Sequence, residues 1–427
     1  MNVYLTFLGC KVNDYEVEAL KLFLKENGYH IVDKPEDAHY LIVNTCDVTN
    51  VAKSKSLKIL RSLKKKSPQS KLIAMGCVVE DLKDDIFNFA PIDAAIGTND
   101  RKYVLEVLTN KENGKKLHLS DKNSRQYEEI AHLNYFKNHV RAYVKTSDGC
   151  DKFCSYCIIP YVRGRFRARD RKDIKLEIAQ LIENGIKEIV LTGIDTVAFN
   201  DEEGGLVSLL KDILSSFPKL ERLRLSSIEI NSIDDELIDL LKKDKRLCHH
   251  LHISSQSGDD EILKKMHRHY DTKLFLERVD KLKEEVPDII LSTDIIVGFP
   301  SESNEQFNNT LKFVQDANFF KVHVFPYSER KGTLASKMMK DDVPREIKKE
   351  RVRCLLKLEK ELRRNIMLSL KNEKFDILLE TYDSRSKTFF GLTDNYIMLH
   401  SKKGKIGDIK TVVVGDNDID YNYKVRF

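Results

Sequence analysis

The sequence predicts a multidomain α/β protein with three folded parts. Two stretches alternate short apolar runs with amphipathic helical patterns, one within residues 1–112 and one within residues 139–367, and residues 370–427 have the pattern of short strands. A length of 427 residues is too great for one ordinary core. With 41% hydrophobic and 33% charged residues, the composition is typical of a globular protein.

Residues 1–112 are predicted to form a doubly wound α/β domain. Helical patterns such as DYEVEALKLFLKENGY separate three apolar runs that have the length of buried strands: VYLTFLGC, YLIVNTC and KLIAMGC. Strand–helix–strand order favours a parallel sheet with helices on both faces. Residues 113–138 are polar and are predicted to form a linker.

Residues 139–367 are predicted to form a partial (βα)6 barrel of the TIM type with a trailing helix. Six strand-like runs alternate with helical stretches: AYVKTSDGC, EIVLTGID, RLRLSSIE, HLHISSQS, IILSTDIIVGFP and FKVHVFPYS. Six units are fewer than the eight of a closed barrel, so the barrel is expected to be open. Residues 370–427 are predicted to form a small antiparallel β-barrel from the runs KFDILLE, KTFFGL, YIMLH, TVVVG and NYKVRF.

Composition excludes several classes of protein. No apolar run approaches the roughly 18 residues of a membrane span, and MNVYLTFLGC lacks the pattern of a signal peptide. A cytoplasmic location without membrane contact is therefore expected. The net charge of +5 is too small to indicate nucleic acid by itself. Eight cysteines in such a chain favour metal binding or catalysis over disulfides.

Cys150, Cys154 and Cys157 form the strongest motif in the sequence. Three thiols within eight residues suit a [4Fe–4S] cluster, and the fourth iron is then left open to bind a small molecule. A structural zinc site is the alternative, but it normally needs four ligands in paired form.

Cys10, Cys46 and Cys77 form a second candidate set. They are distant in sequence, yet each ends a predicted parallel strand. Because such ends share one edge of a doubly wound sheet, the three thiols are expected to lie together and to hold a second cluster. The alternative for each is a buried small apolar residue, which is also our interpretation of Cys248 and Cys354.

Together, these motifs resemble those of the radical S-adenosylmethionine (SAM) methylthiotransferase family, whose three parts match nearly the full chain in order. Its C-terminal part is an RNA-binding β-barrel called TRAM. The segments TFLGCKVNDYE, DGCDKFCSYCIIPYVRGR and HVFPYSERKGT are similar to the branch that acts on threonylcarbamoyladenosine in tRNA. The chain departs from the family pattern at Ser254 and Ser255, at Asp195 and in GCVVED.

The resemblance implies two [4Fe–4S] clusters and SAM as cofactors, with no catalytic residues beyond the cluster ligands. It also implies the tRNA anticodon loop as partner and an electron donor such as flavodoxin or ferredoxin. The expected reaction is 2-methylthio insertion into N6-threonylcarbamoyladenosine at position 37. The same chemistry on isopentenyladenosine-37 or on a ribosomal-protein aspartate is the alternative. A rival of another class is a non-catalytic RNA-binding protein with structural zinc.

Polar residues at the predicted barrel strand ends are candidates for SAM binding, because ligands bind at that end of such barrels. They are Gly193, Ser227, Glu229, Gln256 and Gly298. Capping of the following helices is the alternative for the hydroxyl side chains.

Two features are candidates for RNA contact. Arginines alternate along RGRFRARDRK, so in an extended segment Arg163, Arg165, Arg167 and Arg169 would share one face suited to phosphates. A solvated charge run is the alternative. Tyr396 in FFGLTDNYIMLH could stack on an exposed base.

Overall fold

A computed structural model describes residues 1–110, 114–134 and 140–419. Within these ranges no helix combines the length and the apolar character needed to cross a membrane.

The N-terminal domain is a six-stranded parallel sheet with helices on both faces. Its elements are β1 (Asn2–Phe7), α1 (Lys11–Glu26), β2 (His30–Ile31), β3 (Tyr40–Thr45), α2 (Asn50–Lys66), β4 (Lys71–Gly76), α3 (Cys77–Leu82), α4 (Ile86–Phe89), β5 (Ala94–Ile96), α5 (Val104–Thr109) and β6 (Lys116–His118). The strand order is β2-β1-β3-β4-β5-β6. Helices α1 and α5 cover one face, and α2, α3 and α4 cover the other. The predicted doubly wound domain is confirmed, but β6 lies inside the range predicted as a linker.

The central domain is a partial barrel. Its elements are β7 (Arg141–Asp148), α6 (Ile159–Arg163), β8 (Arg167–Ala168), α7 (Arg171–Glu183), β9 (Glu188–Gly193), β10 (Asn200–Asp201), β11 (Gly204–Gly205), α8 (Leu206–Ser216), β12 (Arg222–Leu225), β13 (Ser227–Ile228), α9 (Asp235–Lys243), β14 (His250–Gln256), α10 (Asp260–Lys265), α11 (Thr272–Glu285), β15 (Ile290–Val297), α12 (Asn304–Ala317), β16 (Lys321–Pro326), α13 (Leu334–Met338) and α14 (Arg345–Ser369). β7, β9 and β12 are parallel neighbours, as are β13, β14, β15 and β16. Only Ser226 separates β12 from β13, so the predicted six parallel strands are all present.

The two faces of the barrel strands have opposite character. Alternate residues such as Val144, Leu191 and Ile253 point outward into the apolar core beneath the surrounding helices. The residues between them point into the barrel lumen, and register places Arg141, Glu188 and Arg222 side by side there. The lumen is therefore lined by charged groups rather than filled by the apolar layers usual in a closed barrel.

The C-terminal domain is a small antiparallel sheet. Its elements are β17 (Lys374–Asp383), β18 (Thr388–Thr393), β19 (Met398–Ser401), β20 (Ile409–Val413) and α15 (Asp416–Ile419). The strand order is β19-β18-β17-β20, which agrees with four of the five predicted strands. The fifth, in NYKVRF, lies outside the described residues.

The C-terminal domain packs against the amino ends of the barrel strands. Arg222 and Arg224 donate hydrogen bonds of 2.8 and 2.7 Å to the backbone oxygens of Leu392 and Asp394. The domain thus closes the lumen at the end opposite to that where barrel ligands bind.

Candidate active site

Three thiols lie at the carboxyl edge of the N-terminal sheet. Cys10 follows β1 and is the N-cap of α1, Cys46 follows β3, and Cys77 begins α3 directly after β4. Because β1, β3 and β4 are adjacent and parallel, these strand ends lie side by side. The Cys46 thiol interacts electrostatically with both Cys77 and Cys10. The sheet therefore brings the three thiols together, as the strand-end argument predicts.

The backbone around these thiols is closely packed. Gly9 has φ +130°, and a Cβ at this position would lie 2.9 Å from the Cβ of Cys46. Cys10 is exposed, whereas Cys46 and Cys77 are buried. The thiol set is thus compact and open to solvent at Cys10.

Burial disfavours the thiolate form at both thiol sets. Desolvation raises the pKa of Cys46 and that of Cys157 to about 12, with a smaller contribution from neighbouring cysteines. Desolvation also raises the pKa of Cys77 and that of Cys150. A metal cluster would supply the positive charge that these thiolates need. Two sets of three clustered sulfur donors therefore fit two iron–sulfur clusters, each with one iron free of a cysteine ligand.

The second thiol set lies in the loop that follows β7. Cys150, Cys154 and Cys157 are all half-buried. The backbone N–H of Ser155 donates to the Met266 oxygen at 3.1 Å, and its hydroxyl donates to the Lys265 oxygen at 2.7 Å. The loop is thereby attached to the end of α10.

Four charged side chains surround the barrel thiols. The Cys150 Sγ lies 3.6 Å from Asp195 Oδ2, and Arg268 Nη1 donates to the Cys154 Sγ at 3.4 Å. The Lys152 Nζ lies 2.9 Å from both Asp195 Oδ1 and Glu229 Oε2. Sequence reasoning missed Lys152 and Arg268. The position of Lys152 inside the cysteine motif was the available signal, whereas Arg268 is recognisable only from the fold.

Three of the predicted SAM-binding residues surround the same end of the lumen. Ser227 pairs in register with His252 and is exposed. Glu229 lies between Lys152 and Arg268, 2.7 Å from Arg268 Nη2. Gln256 ends β14 with φ +69°. Their proposed role in binding SAM stays a prediction.

Close packing gives another reason for glycine at the two positions that were predicted to bind SAM. A Cβ at Gly193 would lie 2.4 Å from Ser147 Oγ, and one at Gly298 would lie 2.4 Å from Lys348 Cγ. The Gly298 N–H donates to Glu302 Oε2 at 2.6 Å. The close approach at Gly298 is therefore made by α14, and its amide is not available to a ligand.

The expected shared face of arginines is not formed. Arg163, Arg167 and Arg169 are each no more than 2% exposed. Arg163 ends α6, and Gly164 with φ +76° turns the chain, so the segment is not continuously extended. Arg169 donates to Glu129 and Glu177. These arginines make intramolecular ion pairs instead of facing phosphates.

Arg165 is the exception in this segment. Its side chain is 43% exposed, and its guanidinium lies 5.2 Å from the ring centroid of Phe153 in the cysteine loop. It alone of the four predicted arginines faces solvent beside the barrel thiols.

Tyr396 does not present its ring for base stacking. The ring stacks on His250 with centroids 4.6 Å apart, and the Arg224 guanidinium lies 4.8 Å from the Tyr396 ring centroid. Both partners belong to the amino end of the barrel, so Tyr396 joins the C-terminal domain to the barrel.

A buried network joins the two thiol sites. Cys77 packs against Ile158 and Val162, which lie within the five residues after Cys157. Arg163 donates to Glu16 Oε1 at 2.8 Å, to Asp148 Oδ1 at 3.0 Å and to Asn13 Oδ1 at 3.0 Å. The barrel thus supplies a cation to the N-terminal thiol site.

Two family models match this chain, one over each of the parts that carry a three-cysteine set. The model of the radical SAM superfamily matches residues 144–314, and that of the uncharacterized protein family UPF0004 matches residues 2–97. A threonylcarbamoyladenosine tRNA methylthiotransferase, MtaB, of Bacillus subtilis (strain 168) is 35% identical over 421 residues, which cover 96% of this chain and 93% of that protein. The protein of the same name in Rickettsia prowazekii is 38% identical and covers 81% of this chain and 80% of that protein.

A relative with another name matches to a similar extent. A tRNA-2-methylthio-N(6)-dimethylallyladenosine synthase of Natranaerobius thermophilus is 34% identical over 96% of this chain and 93% of that protein.

Solved structures support the fold. The radical SAM methyltransferase TsrM from Kitasatospora setae, described with cobalamin and a [4Fe–4S] cluster bound, has a TM-score of 0.57 and 16% identity. The match covers 76% of this chain and 74% of that one. With relatives that match nearly its whole length, this chain belongs to the radical SAM methylthiotransferase family.

Proposed function

We propose that this protein is a tRNA methylthiotransferase that converts N6-threonylcarbamoyladenosine at position 37 to its 2-methylthio derivative. The observation that carries the proposal is the pairing of two three-cysteine sites through Cys77 and Arg163. A radical generator and a sulfur-handling site must act on the same base, and this contact holds the two sites in one assembly. The names of the MtaB relatives support the threonylcarbamoyl substrate.

The six clustered cysteines are the proposed ligands of two [4Fe–4S] clusters. When bound, the barrel cluster and SAM supply radical chemistry, and the N-terminal cluster supplies the site of methylthio sulfur. This chain's own groups orient SAM. Lys152 and Arg268 offer cations for its carboxylate, while Asp195 and Glu229 offer carboxylates for its ammonium group.

The proposed RNA partner is the anticodon loop of tRNA. Arg165 is exposed beside the barrel thiols and can contact phosphate there. The C-terminal domain, residues 370–427, is the proposed TRAM module. The other proposed units are residues 1–112, 113–138 and 139–367, and β6 of the second unit pairs with β5 of the first. An electron donor such as flavodoxin or ferredoxin and a cytoplasmic location complete the proposal.

Reconstituted protein tests the reaction directly. Under anaerobic conditions with SAM and a reductant, the protein should add a methylthio group to tRNA that carries threonylcarbamoyladenosine, measured by mass spectrometry of nucleosides. A Cys154→Ala variant is the inactive control. Methylthiolation of isopentenyladenosine tRNA alone would reject the threonylcarbamoyl substrate. A colourless, zinc-loaded protein unable to cleave SAM would reject the enzyme altogether.

A further inference from the structure

The barrel lumen contains space that solvent can reach. Four side chains lie on the lumen face of their strands: Tyr143, His252, Asp294 and His323. Strand register pairs Tyr143 with Val190, His252 with Ser292, and Asp294 with His323. All four are nevertheless only half-buried. Side chains in a filled barrel interior would be fully buried. The middle of the lumen can therefore admit part of a ligand.

Lys11 enters this lumen from the N-terminal domain. It is the first residue of α1, next to Cys10, and its Nζ lies 6.0 Å from the ring centroid of Tyr143. Its charge interacts with those of Arg141, Arg224 and Glu188 in the lumen, and also with His323. Lys11 therefore lies between the N-terminal thiol site and the barrel interior.

Lys11 differs from the other cations of the lumen in making no direct ion pair. Arg141 pairs with Glu380, and Arg224 pairs with Glu188 at 2.7 Å. Within the described part of the chain, Lys11 makes no hydrogen bond or ion pair, and its ring contact with Tyr143 is its one direct interaction.

The arginines near Lys11 occupy the two lumen carboxylates. Glu188 pairs with Arg141, Arg222 and Arg224, and Glu380 pairs with Arg141. Asp14, one turn along α1 from Lys11, interacts electrostatically with Tyr143. The nearby Asp294 carboxylate is held by His252 Nε2 at 3.1 Å. A half-buried ammonium group without an ion pair favours an anionic ligand, because a carboxylate would accept charge-assisted hydrogen bonds from it.

We propose that Lys11, beside Tyr143 and His323, forms a subsite for the carboxylate of the N6 side chain of the substrate adenosine. This inference rests on the proposed function, since a threonylcarbamoyl group ends in a carboxylate and a dimethylallyl group carries no charge. Lys11 would then select the modified adenosine by charge, next to the N-terminal cluster that is the proposed site of methylthio sulfur.

A pair of RNA substrates tests the subsite. One anticodon stem–loop carries threonylcarbamoyladenosine, and the other carries the same group with its carboxylate converted to a carboxamide. The measurement is kcat/KM for methylthiolation of each RNA by wild type, Lys11→Gln, Lys11→Arg and Lys21→Gln. The Lys21→Gln variant is the matched control, because this lysine of α1 already has an ion-pair partner, Glu18, at 2.7 Å.

For wild type, kcat/KM is expected to be about 30-fold higher for the RNA with the carboxylate (the acid RNA) than for the RNA with the carboxamide (the amide RNA). This factor corresponds to the lower end of the binding free energy that is lost when one partner of a buried charge pair is removed. Lys11→Gln should lose about 30-fold on the acid RNA and little on the amide RNA, so that the preference disappears. Lys11→Arg should retain part of the preference, and Lys21→Gln all of it. Iron content and SAM cleavage verify that each variant is intact.

Equal losses on both RNAs in an iron-replete Lys11→Gln protein would overturn the subsite and leave the proposed function standing. If this variant loses iron, the wild-type protein alone tests the subsite. Equal kcat/KM values of wild type for the acid and amide RNAs would also overturn it. Absence of methylthiolation of the acid RNA by wild type would overturn the proposed function, and the subsite with it.

Discussion

Arg163 of the barrel donates to Glu16 of the N-terminal domain at 2.8 Å, and both side chains are 1% exposed. Arg101 and Lys145 also pair with Glu16, at 2.7 and 2.8 Å. Although burial alone would raise the pKa of Glu16, these three cations lower it well below its usual range. The carboxylate is thus ionised and central to the contact between the two cysteine domains.

Replacing Arg163 by Met should lower the free energy of unfolding by about 3–5 kcal/mol, because Glu16 and Asp148 lose a buried partner. The N-terminal thiol site should also lose iron, since Arg163 lies beside Cys77. Denaturant unfolding and iron analysis measure the two effects. Arg165→Met is the control, with an expected change within about 0.5 kcal/mol at this exposed position. Equal stabilities of the two variants would contradict the prediction.

Iron content tests the assignment of thiols to clusters. Wild type should hold about eight irons per chain, and Cys46→Ala about four, because each three-cysteine set is expected to hold one four-iron cluster. Cys248 is buried away from both sets and Cys354 is exposed on α14. Cys248→Ala and Cys354→Ala should therefore retain about eight irons. Loss of all iron from Cys46→Ala would show that the two sites do not load independently.

The gathering of the N-terminal thiols was predictable because it follows from the order of strands and helices. Cys10 and Cys46 follow adjacent parallel strands, and the ends of such strands share one edge of the sheet. The role of Arg163 was not predictable, because its partner Glu16 lies 147 residues away. The alternation of arginines also did not reveal that Arg163 ends a helix and that Gly164, with a positive φ, turns the chain before Arg165. Tyr396 was misassigned for a similar reason, since its partner His250 comes from another domain.

The lumen carboxylate Glu188 should make stability depend on pH. Burial alone would raise its pKa, but Arg224, Arg141 and Arg222 outweigh burial and lower the pKa from 4.5 to about 2. A lowered pKa contributes stability that is complete above pH about 4.5 and is lost as the pH falls towards 2. The contribution is about 3 kcal/mol.

Glu188→Gln should therefore be less stable than wild type at pH 7, and the difference should shrink as the pH falls below 4.5. Urea unfolding between pH 3.5 and 7 measures both proteins. Glu236→Gln, which breaks a surface pair with Lys211, is the control and should follow the wild-type curve. A constant difference between wild type and Glu188→Gln at every pH would contradict the assignment.

Arg268 should raise the reduction potential of a cluster bound at the barrel thiols. Its Nη1 lies 3.4 Å from Cys154 Sγ, and its Nη2 lies 2.7 Å from Glu229. A cation that donates to a ligand sulfur stabilises the more negative, reduced form. Removing about 1 kcal/mol of such stabilisation corresponds to about 40 mV for one electron. Arg268→Gln should thus shift the potential by about 40 mV to more negative values.

The shift is measurable by potentiometry followed by electron paramagnetic resonance in a Cys46→Ala background, in which the barrel cluster alone is expected. Arg278→Gln is the matched control, because this surface arginine pairs with Asp235 and is distant from the thiols. A potential equal to that of the control would mean that the Arg268 guanidinium does not donate to Cys154 in the loaded protein. Arg268 would then act through Glu229 alone, and its replacement should weaken SAM binding without changing the potential.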